Sequence, residues 1–128
     1  MGSKHEVTEK EMSEWKDKIY DLASNCAYTK DKYMYYLLVI WIYEYIETSV
    51  VNNKNEHAGL TPVKKEYPLY SEALVNLFML RCQITHTPYR VDEDRLSRIK
   101  DDSDKINNVL CSLGFSRPVL TIDNQYLG

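Results

Sequence analysis

Arg81 and His86 are the two residues whose types and spacing point to chemistry. They stand in "LVNLFMLRCQITHTPYR", residues 74–90, an apolar run broken by one arginine and closed by a histidine just ahead of Thr87-Pro88. A guanidinium presents a planar fork of donors that fits a phosphate, and imidazole exchanges protons near neutral pH. An arginine and a histidine brought to one phosphate can therefore stabilise its developing charge and move its protons. Competing chemistries find less support. Cys82 and His86 have the i, i+4 spacing of metal ligands, but two more ligands are needed, and Cys26, Cys111 and His57 offer no motif spacing. A Cys82 nucleophile paired with His86 lacks an orienting Asn or Asp on the same turn. The acidic run Asp101, Asp102, Asp104 reads as the exposed face of a helix and has no glycine-centred calcium loop, and no Gly-rich phosphate loop occurs. No metal or cofactor is expected.

The elements that must position this pair read as helices. "VTEKEM" places Thr8 as N-cap and Glu11 at the third helical position, a capping box with Val7 and Met12 as a hydrophobic staple. Met12, Trp15, Ile19, Leu22 and Cys26 then recur at three-and-four spacing, so a first helix spans about Glu9 to Ala27. After the turn "YTKD" a second helix runs from about Asp31 to Val51. Its segment "YMYYLLVIWIYEYI" is apolar on nearly every side, as a helix covered by neighbours would be. Residues 52–70 carry Gly59, Pro62 and Pro68 without periodicity and read as a long loop, with room for one short helical turn. A third helix starts near Ser71 and stops around Thr85 to Thr87, because Pro88 disfavours continuation. A fourth begins at an Asp92 N-cap, turns Leu96, Ile99, Ile106, Val109, Leu110 and Leu113 inward, and ends at Gly114. The tail from Phe115 is expected as an extended arm. The expected fold class is all-α: one domain over 1–128, a bundle of four main helices with a long second connection.

On a helical wheel the third helix clusters Ala73, Leu77, Leu80 and Ile84, with Leu74 and Phe78 adjoining. Arg81 projects inside that apolar arc, away from Glu72, Asn76 and Gln83. An arginine there must be paired, or line a cleft or interface where its charge has a use. His86 lies five residues on, about 140° around an ideal helix, so the two share a face only if the C-terminal turn unwinds. Val75, Met79 and Cys82 form a second apolar side, which suits a helix packed inward and also against a twin.

"LRCQITH" resembles the R-x4-H signature of HEPN domains, in which an Arg near the end of a long helix precedes a His with four residues between them. The architecture is similar over most of the chain, while the motif itself rests on Arg81 and His86. Family members commonly carry Asn or Asp after the Arg; this chain has Cys82. The resemblance implies a metal-independent endoribonuclease that works as a homodimer through the third helix. It implies RNA cut to 2′,3′-cyclic phosphate and 5′-hydroxyl ends, with Arg81 and His86 catalytic. Tyr89 and Arg90, just beyond the motif, are candidate substrate contacts. Such proteins occur in toxin–antitoxin and anti-phage defence systems, so an antitoxin or other protein partner is a further expectation. The alternative is a catalytically silent HEPN-like subunit or an unrelated helical interaction module, with Arg81 in a structural ion pair.

Composition sets the frame for these readings. A hydrophobic fraction of 44% and a charged fraction of 27% fit an ordinary globular domain. The net charge of −3 argues against a generic nucleic-acid binder, so any RNA contact must be local. The stretch 81–100 does lean basic, with Arg81, Arg90, Arg95, Arg98 and Lys100. Three unpaired-looking cysteines and no visible secretory leader fit a reducing cytoplasm. The longest apolar run is too short to span a bilayer, so no membrane partner is expected. Eleven tyrosines are many, and most are expected to supply core bulk with the hydroxyl at a polar edge.

Overall fold

The capping box expected at Thr8 opens the first helix. In the computed structural model, which describes residues 7–54 and 59–120, Thr8 Oγ1 accepts from Glu11 N–H at 3.1 Å and Glu11 Oε1 accepts from Thr8 N–H at 2.9 Å. Helix α1 (Glu9–Thr29) ends on Lys30 in the left-handed conformation, φ 59°, whose N–H closes onto Cys26 O. Asp31 Oδ1 accepts from Tyr33 N–H at 2.9 Å and so caps α2 (Lys32–Lys54). A connection this short makes α1 and α2 packed neighbours.

Residues 52–70 depart from the expected loop. They hold a further helix, α3 (Leu60–Glu66), and a 3-10 turn, Pro68–Tyr70, so the described residues contain five helices where four were expected. The prolines that looked like breakers sit in first turns, where a helix has no partner for their missing N–H. Val63 anchors α3 with no exposed surface. The third expected helix is therefore α4 (Ser71–His86), and the fourth is α5 (Glu93–Ser112), with Asp92 Oδ1 accepting from Asp94 N–H at 2.9 Å. Among the described residues there is no strand, and the chain is all-α.

Two helical hairpins, α1–α2 and α4–α5, meet along a seam between α2 and α4, and α3 bridges the two seam helices. The seam is where the core is deepest: Leu38, Ile42, Ile46, Leu74, Leu77 and Leu80 are all fully buried. Each such side chain contributes roughly 1.5–3 kcal/mol relative to exposure. Tyr35, Tyr36, Tyr43 and Tyr45 are buried too, so the tyrosine-rich stretch of α2 is chiefly core.

Past Gly114 (φ +99°) the chain runs as an arm without helix or strand to residue 120, bending at residues 116–117. Phe115 stacks edge-on against Tyr45 at 5.1 Å, and Val119 and Leu120 are buried. Asn107 of α5 fixes the arm: its Oδ1 accepts from Val119 and Leu120 N–H at 3.1 and 3.0 Å, and its Nδ2 donates to Leu120 O at 2.9 Å.

Candidate functional site

α4 presents the inner face that the wheel assigned to it: Ala73, Leu74, Leu77, Leu80 and Ile84 are all buried. Arg81 stands at the edge of that face, where α4 crosses α2, and there it finds its counter-charge. Its Nη2 donates to Glu44 Oε1 of α2, and both side chains keep 29% of their surface exposed. The guanidinium lies over the ring of Tyr43 at 5.8 Å, and Phe78, one turn earlier on α4, packs edge-on against the same ring at 5.3 Å. Arg81 Nε is buried and has no hydrogen-bond partner.

These surroundings set the local electrostatics. Burial alone would lower the Arg81 pKa, but the hydrogen bond and charge of Glu44, with the adjacent Cys82 thiol, outweigh it and hold the cation more firmly than usual. Burial, and then the negative charge of Glu47, push the Tyr43 phenol well above its ordinary value. The seam thus carries a fixed cation, a neutral phenol and two carboxylates one helical turn apart.

His86 is the last residue of α4 and is exposed. The helix does not unwind before it. Thr87 N–H and Oγ1 both bond Gln83 O, at 2.8 and 3.2 Å, and Thr85 Oγ1 bonds Arg81 O at 2.9 Å. Arg81 and His86 therefore diverge by about 140° on one regular helix. One protomer does not bring them onto a common face.

Beyond His86 the 3-10 turn Pro88–Arg90 exposes Tyr89 (75%) and Arg90. Gln83 Oε1 accepts from Asp92 N–H at 2.7 Å and ties the end of α4 to the start of α5. Asp102, expected to be a plain surface acid, accepts from Asn76 Nδ2 at 2.9 Å and links the same two helices. Val75 and Cys82 are half-buried and Met79 is 39% exposed, so the second apolar side of α4 lies partly uncovered.

Among the described residues no cluster of three or more His, Cys, Asp or Glu side chains is placed to hold a metal ion. No disulfide joins Cys26, Cys82 or Cys111. His5 and His57 lie outside the described residues. No helix among the described residues is long and apolar enough to cross a membrane.

Glu44 is the site residue that sequence reasoning missed. It is the one charge in the stretch 33–46, as Arg81 is in 73–84. Two isolated, opposite charges on two apolar helices are a signal that they meet. Compared with known proteins, the chain matches no family model, no curated protein and no solved structure.

Proposed function

We propose that the chain is a HEPN-like, metal-independent endoribonuclease that acts as a homodimer paired through α4. The observation that carries this reading is the disposition of Arg81 and His86. Both reach solvent, they diverge on one regular helix, and the partly uncovered apolar strip of Val75, Met79 and Cys82 lies on the His86 side of that helix. In this reading a two-fold pairing through α4 builds one site from His86 and Arg81 of two copies, which a single chain does not achieve.

In the composite site a histidine takes the proton from the ribose 2′-hydroxyl, and the 2′-oxygen attacks phosphorus. The bond to the 5′-oxygen breaks, and that oxygen leaves with a proton from an imidazolium. Arg81 stabilises the extra charge on the phosphoryl oxygens. The products are a 2′,3′-cyclic phosphate and a 5′-hydroxyl. Tyr89, exposed next to the motif, offers a ring for base stacking, and Arg90 a charge for the backbone. An antitoxin-like protein partner and a cytoplasmic setting belong to this reading.

A second reading is favoured by one specific contact. The Arg81–Glu44 pair satisfies the arginine within the chain, as it would in a catalytically silent interaction module. Mixed RNA incubated in EDTA with the protein and with His86→Ala separates the two. The nuclease reading expects cyclic-phosphate ends from the parent and a loss of roughly 100-fold or more in the variant. An inert parent that is dimeric in solution supports the module, and a monomer removes the composite site.

A further inference from the structure

We infer that Glu44 is a carboxylate gate on Arg81, and that an anionic ligand engages this arginine by displacing Glu44 from Nη2. The inference rests on the reading of Arg81 as a phosphate-binding residue. It starts from the shape of the guanidinium. An arginine grips a phosphate bidentately along one of two edges, Nε–Nη2 or Nη1–Nη2, and both edges run through Nη2. The first edge is closed, because Nε is buried. The second shares the very nitrogen that holds the Glu44 carboxylate.

Charge makes sharing costly. Glu44 and Glu47 stand one turn apart on α2, both half-buried, Glu44 on the Arg81 guanidinium and Glu47 beside the Tyr43 phenol beneath it. A phosphodiester arriving at Nη2 would sit a few ångströms from a carboxylate, in surroundings less polar than water, where like charges repel strongly. Letting go is feasible for Glu44, since 29% of its side chain already faces solvent and a short rotation hydrates the carboxylate. The Tyr43 ring under the guanidinium holds Arg81 in place while its partner changes. Glu44 is thus a positioning residue: in the free protein it holds the cation, and it sets how much anion affinity remains.

The test uses single-stranded RNA bearing 2′-O-methyl groups, which cannot be cleaved, with four proteins: the parent, Glu44→Gln, Arg81→Ala and the double variant. Glutamine keeps the size of Glu44 and can still accept from Nη2 without the charge. A gate predicts that Glu44→Gln binds roughly three- to ten-fold tighter, the scale of removing one nearby charge at a half-exposed site. It also predicts that the gain vanishes in the double variant. Equal or weaker binding by Glu44→Gln, at an unchanged thermal midpoint, overturns the gate.

A second measurement needs no variant. In the labelled parent, the Arg81 Nε–H and Glu44 carboxyl NMR signals must move together as RNA is added; a Glu44 signal that stays put while Arg81 shifts also overturns the gate. If none of the proteins binds RNA, the ribonuclease reading fails, and inorganic phosphate becomes the probe. Joint movement of the two signals then upholds the gate as an anion-binding feature, and no movement of either overturns it.

Discussion

Glu44 and Arg81 each interrupt an apolar stretch alone, and the structure spends them on one another across the α2–α4 seam. A pair this exposed contributes about 0–1 kcal/mol to stability, so stability alone is a weak account of two charges placed in such greasy surroundings. The sequence wheel put Arg81 inside the apolar arc and required a partner, a cleft or an interface; it could not choose among them, because a contact across 37 residues leaves no local periodicity. The cysteines illustrate the same scale. Burial, and next the charge of Asp31, push the Cys26 thiol up to about 11, whereas Cys111 is exposed. A raised thiol pKa disfavours the reactive thiolate, leaving about one part in a thousand ionised at pH 8. Under iodoacetamide at that pH, intact-mass spectra should show Cys111 modified first and Cys26 modified only as fast as the protein unfolds. Rapid labelling of Cys26 in the folded state would contradict its placement.

Elements were legible wherever their ends carried side-chain chemistry. The Thr8–Glu11 box, the Asp92 cap and the positive-φ Gly114 appear where the residues asked for them. α3 was foreseen only as room for one short helical turn, because its proline sits at the third helical position, where a breaker breaks nothing, and seven residues give too little periodicity to read. The terminal arm was anticipated as extended, but its clamp was not: Asn107 is a mid-helix asparagine whose three bonds reach residues 12 and 13 positions further on. Replacing Asn107 with alanine leaves two arm N–H groups and one carbonyl without partners in a part-buried place. The expected cost is about 1–3 kcal/mol in urea unfolding. An unchanged midpoint would show that the arm is held by Phe115, Val119 and Leu120 alone.

At the scale of the whole molecule, the outer side of α4 around Met79 is an apolar surface that the two hairpins leave incompletely covered. Hydrophobic patterning announced an all-α domain and the two-sided character of this helix. It could not say that the Arg81 and His86 side chains would point apart, because that depended on whether the last turn unwound ahead of Pro88, and the Thr85 and Thr87 hydroxyls keep it wound. Met79→Glu places a charge in the middle of the uncovered strip. If α4 is the pairing surface, the variant should be monomeric by light scattering, with its far-ultraviolet helix signal intact and its RNA cleavage lost. A dimeric Met79→Glu would place the pairing surface elsewhere.

The corner that carries His86 has a consequence for timing. Between Gln83 and Asp94 nearly every turn of the chain is stapled, by Thr87 onto Gln83, by Arg90 N–H onto Thr87 O, and by Asp92 onto the Gln83 amide. Such a corner has no hinge of its own and opens only along with the ends of α4 and α5. His86 rides on it as on a fixed post, free to rotate its ring in nanoseconds but not to swing on a slow lid. If His86 is the proton-transfer group of the proposed ribonuclease, its step is paced by encounter and chemistry, with no conformational clock in front of them.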